Sequence, residues 1–369
     1  MRSVILAVGF LLLMFSPRAQ AFPEMIRMGY VNCTACHVSP TGGGLMTDYG
    51  RSISSEVLST WAKPKEELPG HGFLPEAPAW FKIGGDLRVI QTYVDNPQAT
   101  SQSFFPMQID LDLGFNFNKF WYVQGLGIQG GPEKAPGRGE FVSHRFYGLY
   151  NWTDETYTRA GKYLLPYGLN IPDHTAFIKR NLNFDQGQET YTTDTGSIGE
   201  LWNSVFALSI GRKDNNSVDL EKGGSFQLSY NLGDTKKILG SFAYLKKEGV
   251  STRYLLGPQV LWGFDAKWIF LGEYDYQEKT FEATKLVQKG AVAYSRLQYE
   301  WTRGVQSYLL HQFSYLDFTQ LKTRVNSYGL GVLLYPRPHF EISAEVDYSE
   351  TAEVNTYNTV SWFLGHYYF

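Results

Sequence analysis

The pentapeptide Cys33–His37 contains both cysteines of the 369-residue chain, and a histidine follows the second of them directly. A C-x-x-C-H run is typical of c-type haem attachment. Two thiols add across the haem vinyl groups, and the adjacent histidine supplies an axial ligand to the iron. The sequence therefore predicts one covalent haem c attached through Cys33 and Cys36, with His37 as the proximal iron ligand.

Two other uses of a C-x-x-C pair are disfavoured by the rest of the chain. A structural zinc site needs about four ligands, and no second cysteine pair exists. A thioredoxin-like redox pair is expected near a βαβ pattern, which the flanking sequence does not offer. With both cysteines attached to haem, no disulfide forms in the mature chain.

The sequence leaves the second axial ligand of the iron open. Met46 would give a His/Met site with a raised reduction potential, whereas His71 would give a bis-His site of lower potential. Met25 and Met28 are further candidates, and Arg51 is a candidate contact for a haem propionate. The other histidines are predicted to have no metal role, namely His144, His174, His311, His339 and His366.

Residues 1–21 have the pattern of a secretory signal peptide. Arg2 is followed by an apolar run from Val4 to Phe15, and Ala19–Ala21 forms an A-x-A cleavage site. The apolar run is too short to span a bilayer comfortably. We therefore expect export, cleavage before Phe22, and haem attachment on the exported side of a bacterial inner membrane.

Composition excludes several classes of protein. The formal net charge of -3 offers no basic excess for nucleic-acid binding. After residue 21 the chain has no run of 18 or more apolar residues, so a helical membrane protein is excluded. The sequence contains no G-x-S-x-G or H-E-x-x-H motif, so a hydrolase is not supported.

The long C-terminal part of the chain alternates between apolar and polar residues. In Ile109–Phe117 the apolar side chains occupy every second position, and Asp110, Asp112 and Asn116 lie between them. Phe226–Leu232, Phe264–Tyr276 and Phe340–Ser349 show the same period of two, which predicts β-strands with one apolar face. The other face carries acidic residues predicted to line a lumen: Asp110, Asp112, Asp265, Glu273, Glu341, Glu345 and Asp347.

Segments of roughly ten residues recur about every 18 residues, which is longer than soluble strands and typical of a transmembrane barrel. Aromatic residues at segment ends, among them Trp262, Trp301, Tyr335 and Tyr348, fit interfacial girdles. The chain ends in Phe369 on an aromatic-rich segment, as outer-membrane barrels commonly do. The fold class is therefore all-β, a transmembrane antiparallel β-barrel of about 16 strands with a small N-terminal c-type haem segment.

Sixteen strand starts are predicted, near Trp80, Phe104, Phe120, Glu140, Tyr157, Thr175, Leu201, Gly224, Lys237, Thr252, Phe264, Val287, Val305, Thr323, His339 and Tyr357. The region from Pro166 to Gly199 is rich in Asn, Asp and Thr and fits a strand or a long loop that is either extracellular or folded inwards. In the second case fourteen strands remain. The predicted organisation is a signal peptide at 1–21, a monohaem cytochrome c segment plugging the lumen at 22–78, and the barrel at 79–369.

The combination of signal peptide, a single C-x-x-C-H and a porin-sized barrel resembles the fused monohaem cytochrome–porins, best known from iron-oxidising bacteria. Pro23, Arg27 and the triplet Tyr49–Arg51 match that family, whereas Thr41–Gly44 lengthens the loop after His37. The resemblance implies electron transfer across the outer membrane, with ferrous iron as one possible donor and iron oxidation as one possible activity.

Two functions are therefore expected. In the first, the haem passes electrons between an extracellular redox donor or acceptor and periplasmic c-type cytochromes, inside a barrel embedded in outer-membrane lipid. The barrel would solve a physical problem, because about 25–30 Å of hydrocarbon insulates the two sides. In the second, the barrel is a diffusion or substrate-selective porin, and the haem segment is a plug or redox gate.

Overall fold

In a computed structural model the described residues are 23–74, 77–135, 137–213, 219–352 and 356–369. The predicted signal peptide lies outside them. Within these ranges sixteen antiparallel strands close into one barrel, which confirms the predicted all-β fold and the strand count. None of the described helices is long and apolar enough to cross a membrane.

The barrel strands follow one another along the chain. They are β1 (Phe81–Asp95), β2 (Thr100–Phe117), β3 (Phe120–Gln129), β4 (Phe141–Asn151), β5 (Thr156–Tyr163), β6 (Thr190–Ile198), β7 (Trp202–Ser209), β8 (Lys222–Asn231), β9 (Lys236–Lys247), β10 (Ser251–Gly263), β11 (Trp268–Phe281), β12 (Val287–Thr302), β13 (Val305–Tyr315), β14 (Arg324–Arg337), β15 (Phe340–Thr351) and β16 (Thr356–Tyr368). Each pairs with its neighbours in sequence.

The aromatic C-terminal strand closes the barrel. β16 pairs antiparallel with β1, and Asp86 lies opposite Tyr368. The backbone N–H of Gly85 also donates to the carbonyl of Phe369 at 3.0 Å. Closure leaves no unpaired sheet edge, which a strand in lipid requires because no water is available to bind its backbone groups.

The predicted alternation holds on the two faces of the barrel. Ile109 and Leu111 are exposed on the outer surface, whereas the intervening Asp110 and Asp112 are buried inside. Mid-strand residues such as Leu309, Leu330 and Val346 extend this apolar outer belt. A closed barrel with an apolar exterior and polar groups inside is suited to a lipid bilayer.

Three details of the sequence prediction were wrong. The strand predicted from Thr175 begins at Thr190, and Thr175 lies in the preceding loop. The strand predicted from Phe264 begins at Trp268, so Asp265 lies in an exposed turn and accepts bonds from the N–H groups of Lys267 and Trp268. Tyr335, predicted for the girdle, instead packs against the apolar core of the N-terminal residues.

The two ends of the barrel differ. One end, called here the turn end, has short connections such as the one between β14 and β15, and β16 ends there beside the start of β1. The opposite end, the loop end, has the longer connections. In outer-membrane barrels short turns face the periplasm and long loops face outwards.

Short helical elements occur before the first strand and in the connections between strands. Before β1 these are 3₁₀ turns at Pro23–Met28, Cys33–Ala35 and Pro69–Gly72, the helix α1 (Asp48–Ile53) and a π-helical turn at Ser54–Leu58. After β5 comes α2 (Phe177–Arg180), and a 3₁₀ turn spans Leu321–Thr323. A two-stranded ribbon pairs Arg212–Lys213 with Asp219–Leu220.

Candidate functional site

Residues 23–74, called here the N-terminal segment, are attached to the turn end of the barrel. Arg27 forms a buried ion pair with Glu300 at 2.6 Å, close to the end of β12. Lys237 at the start of β9 donates to the carbonyl of Val31 at 2.9 Å. Because these contacts reach different parts of the wall, they fix the segment across the mouth of the barrel.

The segment also enters the lumen. Leu45 is buried, and its side chain packs over Gly84 of β1 and Gly114 of β2, where a larger residue would collide with it. In a second contact with the segment, Arg159 of β5 donates a hydrogen bond to the hydroxyl of Ser39 at 2.9 Å. The glycines in the wall therefore provide the space that the N-terminal segment fills.

A buried histidine in the turn after β14 contacts the N-terminal segment. The backbone N–H of His339 donates to the hydroxyl of Ser54 at 2.6 Å, and its Nε2 lies 3.1 Å from the carbonyl of Glu67. Burial lowers the pKa of His339 to about 4. At neutral pH the ring is therefore neutral and donates its Nε2 proton to that carbonyl.

The C-x-x-C-H run forms a tight turn. The backbone N–H groups of Cys36 and His37 both donate to the carbonyl of Cys33, at 3.3 and 3.0 Å. Cys36 and His37 are buried, and Cys33 is partly exposed. Cys33 and His37 both line a cavity inside the barrel, so a thiol and an imidazole from this motif border one space.

Three consecutive glycines shape the loop after His37. Gly42, Gly43 and Gly44 have φ angles of +82°, +75° and +65°, a region that side chains rarely adopt. A Cβ at Gly42 would lie 3.3 Å from the sulfur of Cys33, and one at Gly44 would lie 2.5 Å from the guanidinium of Arg145. The glycine loop that distinguishes this chain thus lets the backbone pass close to Cys33.

The triplet Tyr49–Arg51 packs against the C-x-x-C-H motif. In α1 a Cβ at Gly50 would lie 2.8 Å from the Cα of Cys36, so only glycine fits there. Thr47 caps the helix by accepting from the N–H of Gly50, and it donates to the carbonyl of Ala35 at 2.6 Å. Arg51 is buried and donates to the carbonyl of Ile83 and to Asp48, which connects the triplet to β1.

Replacing Gly50 by alanine is expected to lower the free energy of local opening of the motif by about 1–3 kcal/mol, the usual cost of overpacking. The new methyl group would force α1 away from the backbone of Cys36. Hydrogen exchange of residues 33–51 in detergent would measure the loss of protection. Ser52→Ala in the same helix serves as the control. Equal protection in both variants would contradict the close packing of Gly50 against Cys36.

Residues 164–189, called here the lumen loop, fold into the barrel from the loop end. The apolar side chains of this loop form the largest core cluster together with inward-facing wall residues: Leu165, Tyr167, Leu169, Ile171, Phe177, Ile178, Leu182 and Phe184 pack against residues such as Leu245, Leu255, Ile269, Leu271 and Tyr294. Both predicted alternatives for this region are therefore partly right, since an inward loop precedes a strand.

Acidic residues predicted to line the lumen hold this loop in place. The hydroxyl of Tyr167 donates to Asp275 at 2.7 Å, and the N–H of Leu169 donates to Glu273 at 2.7 Å. Elsewhere Asp110 contacts His144 at 3.1 Å. These carboxylates are buried structural partners of other groups, and they do not form an open acidic channel.

A chamber of about 350 Å³ lies between the N-terminal segment and the lumen loop. Its lining includes Cys33, His37 and Met46 from the segment, Asn170 and His174 from the loop, and Arg88, Arg145 and Lys237 from the wall. Asn170 donates to the carbonyl of Thr41 at 2.7 Å, so the two closing elements touch. The volume lies in the range of ~300–1,000 Å³ typical of cofactor sites.

The structure separates the four candidates for the second axial ligand. Met25 and Met28 pack in the apolar core of the segment, and His71 Nε2 lies 2.7 Å from the carbonyl of Pro338 at the turn end. Only Met46 among them lines the chamber. It pairs with His37 across an antiparallel bridge, so both side chains start about 4.5 Å apart on the same face. Neighbouring side chains on one face point the same way, so His37 and Met46 do not face each other across the chamber.

Sequence reasoning missed the lumen loop as part of the site. It marked the Asn-, Asp- and Thr-rich composition of the region but not the apolar residues at Leu165, Tyr167, Leu169 and Ile171, which alternate without forming a strand. It also missed Arg145, an arginine whose guanidinium lies beside the glycine loop. No motif marks either feature, because both depend on distant parts of the chain meeting inside the barrel.

Comparison with known proteins defines the fold. No family model and no curated protein matches the sequence. Among solved structures, a loop L8 deletion mutant of OmpT from Vibrio cholerae aligns with a TM-score of 0.61 at 11% identity, over 78% of this chain and 99% of that one. OprB from Pseudomonas putida gives 0.61 at 6% identity, over 78% and 94%. The outer-membrane channel DcaP of Acinetobacter baumannii gives 0.58 at 8% identity, over 80% and 99%.

These likenesses show the fold of an outer-membrane porin. The closed sixteen-strand barrel of this fold, with its apolar exterior, places the chain in an outer membrane. The identities are too low to carry more than the fold.

Proposed function

We propose that this chain is an outer-membrane electron-transfer protein with one haem c covalently attached to Cys33 and Cys36. His37 is the proximal iron ligand in this proposal. The observation that carries it is the position of the motif, because Cys33 and His37 border a chamber of cofactor size inside a membrane barrel. Electrons would pass between an extracellular donor or acceptor and periplasmic c-type cytochromes.

The residues around the chamber fit a covalently attached haem. A thiol and an imidazole face the same space, and Gly42 keeps the surface beside the sulfur of Cys33 free of a side chain. Lys237 lines the chamber beside Arg88 and Arg145, which also contact Asp86 and Asp112, and cations of this kind suit the two carboxylates of haem. Bound there, haem supplies an iron that gains and loses one electron.

The closures on both sides of the chamber favour a conduit over a pore. The N-terminal segment covers the turn end, and the lumen loop packs a buried apolar cluster on the opposite side. Water and ions need a continuous polar path, whereas an electron needs only a cofactor within reach of each side. The proposal assigns the barrel the role of insulating and positioning that cofactor.

A porin with a plug or redox gate is the second candidate. The observation in its favour is the fold, which this chain shares with outer-membrane channels. In that case the N-terminal segment or the lumen loop would have to move to open a path. Both candidates agree on the barrel and differ in what crosses it.

The donor is proposed only from the resemblance to cytochrome–porins, which suggests ferrous iron and an iron-oxidising activity. The carboxylates inside the barrel give no separate support to ferrous iron as the donor. Glu273 and Asp275 are occupied by the lumen loop, and Glu341 contacts His366 at 3.2 Å. A cation is therefore not expected to travel along the lumen to the chamber.

The test is reconstitution of the holoprotein into liposomes that enclose an electron acceptor. We expect a membrane-impermeant external reductant to reduce the haem and then the enclosed acceptor, with little steady conductance in planar bilayers. The double variant Cys33→Ala/Cys36→Ala is the matched control and should transfer no electrons. A large steady conductance without electron transfer in the unaltered protein would overturn the proposal and leave the porin.

A further inference from the structure

His174 is a histidine of the lumen loop that faces the chamber. Its side chain is partly exposed to that space. The Nδ1 atom lies 2.7 Å from the carboxylate of Asp185, which belongs to the same loop. A carboxylate on one ring nitrogen fixes the orientation of the imidazole, an arrangement common around metal-binding histidines.

The other ring nitrogen of His174 is the one that commonly ligates metals. Nε2 lies 3.5 Å from the guanidinium of Arg88, at the limit of hydrogen-bond distance. An arginine can only donate, so this contact is compatible with a lone pair on Nε2 and a proton on Nδ1 facing Asp185. In that tautomer Nε2 carries the lone pair that an iron ligand needs.

The other histidines are placed differently. In the chamber lining, Nε2 of His144 faces Asp110 at 3.1 Å and Nε2 of His366 faces Asp86 at 2.6 Å, so both donate into the wall. His71 and His339 bind carbonyls at the turn end. His311 lies beside Tyr328, which is exposed on the outer face.

The lumen loop also lies next to the C-x-x-C-H motif. Asn170 contacts the carbonyl of Thr41, and a Cβ at the adjacent Gly42 would lie 3.4 Å from the side-chain nitrogen of Asn170 and 3.3 Å from the sulfur of Cys33. His174 follows Asn170 by four residues in the same loop. The lumen loop therefore lies beside Cys33 and the glycine loop of the motif.

We infer that His174 is the second axial ligand of the haem iron, so that the lumen loop is half of the cofactor site. This inference rests on the proposed function. His37 would ligate from the N-terminal segment and His174 from the lumen loop, the two elements that border the chamber. A bis-His site has a lower reduction potential than a His/Met site.

The test is spectroscopy of the purified holoprotein and its variants. We expect a low-spin, six-coordinate haem that lacks the far-red band of a methionine–iron bond. In His174→Ala the spectrum should become high-spin, and added imidazole should restore the low-spin form. Asp185→Asn should stay low-spin while its potential rises, because the ligand loses its carboxylate partner.

Controls separate this inference from the proposed function. Met46→Leu and His144→Gln should keep the low-spin spectrum, and imidazole rescue shows that a changed His174→Ala variant is still folded. A protein with covalent haem whose spectrum is unaffected by His174→Ala would overturn the inference alone. A correctly matured protein without covalent haem would overturn the proposed function as well.

Discussion

Removing both cysteines by the double variant Cys33→Ala/Cys36→Ala is expected to abolish haem staining on denaturing gels. Thioether bonds survive denaturation, whereas an iron–histidine bond does not, so only covalent attachment leaves a stained band. The unaltered protein, made with a cytochrome c maturation system, should show that band. Cys36→Ala alone should weaken or abolish it, because one of the two attachment points is lost.

The barrel itself should survive this change. The sixteen strands close without help from the motif, since β1 and β16 pair directly. Unboiled samples of the double variant should therefore still migrate differently from boiled ones. Thr34→Ala, between the two cysteines, is the matched control and should keep full staining. A stained band in the double variant would show that the cysteines do not attach the haem.

The second large effect is expected on the lipid-facing surface. Leu330 lies in the middle of β14, is 58% exposed and pairs with the outward-facing Leu309 of β13. Placing arginine there puts a charge near the middle of the hydrocarbon. Leu330→Arg should lower the free energy of unfolding by about 2–4 kcal/mol, measured by denaturant titration in lipid vesicles.

Depth provides the control for this prediction. Val287 faces outwards at the first position of β12, at the loop end, two residues before the exposed Lys289. Val287→Arg should cost only about 0–1 kcal/mol, because water and headgroups reach that level. Equal losses in the two variants would contradict the proposed position of the membrane.

Lumen-facing positions of the barrel wall are poor controls for an arginine substitution, because their side chains bind groups inside the barrel. Asp275 is fully buried because Tyr167 of the lumen loop binds it. An arginine there would displace the loop, although the position is polar. Alternation distinguishes the two faces of a strand but does not reveal what fills the space behind it.

The sequence by itself determined the features that depend on neighbours along the chain. A period of two requires strands, and strands long enough to cross lipid must close on themselves because their backbone groups need partners. Most strand starts and the count of sixteen followed from this local pattern. The C-x-x-C-H motif behind the haem proposal was equally legible, since it consists of five consecutive residues, Cys33–His37.

Tertiary structure alone decided what occupies the lumen. The lumen loop lies inside because its apolar side chains find matching inward-facing residues on distant strands, such as Leu255 and Leu271. Gly50 must be glycine because α1 folds back onto Cys36. Met46 and His174 are 128 positions apart. A backbone bridge brings Met46 beside His37, whereas the lumen loop brings His174 to the same chamber. Such contacts are set by packing across the barrel, and no local spacing encodes them.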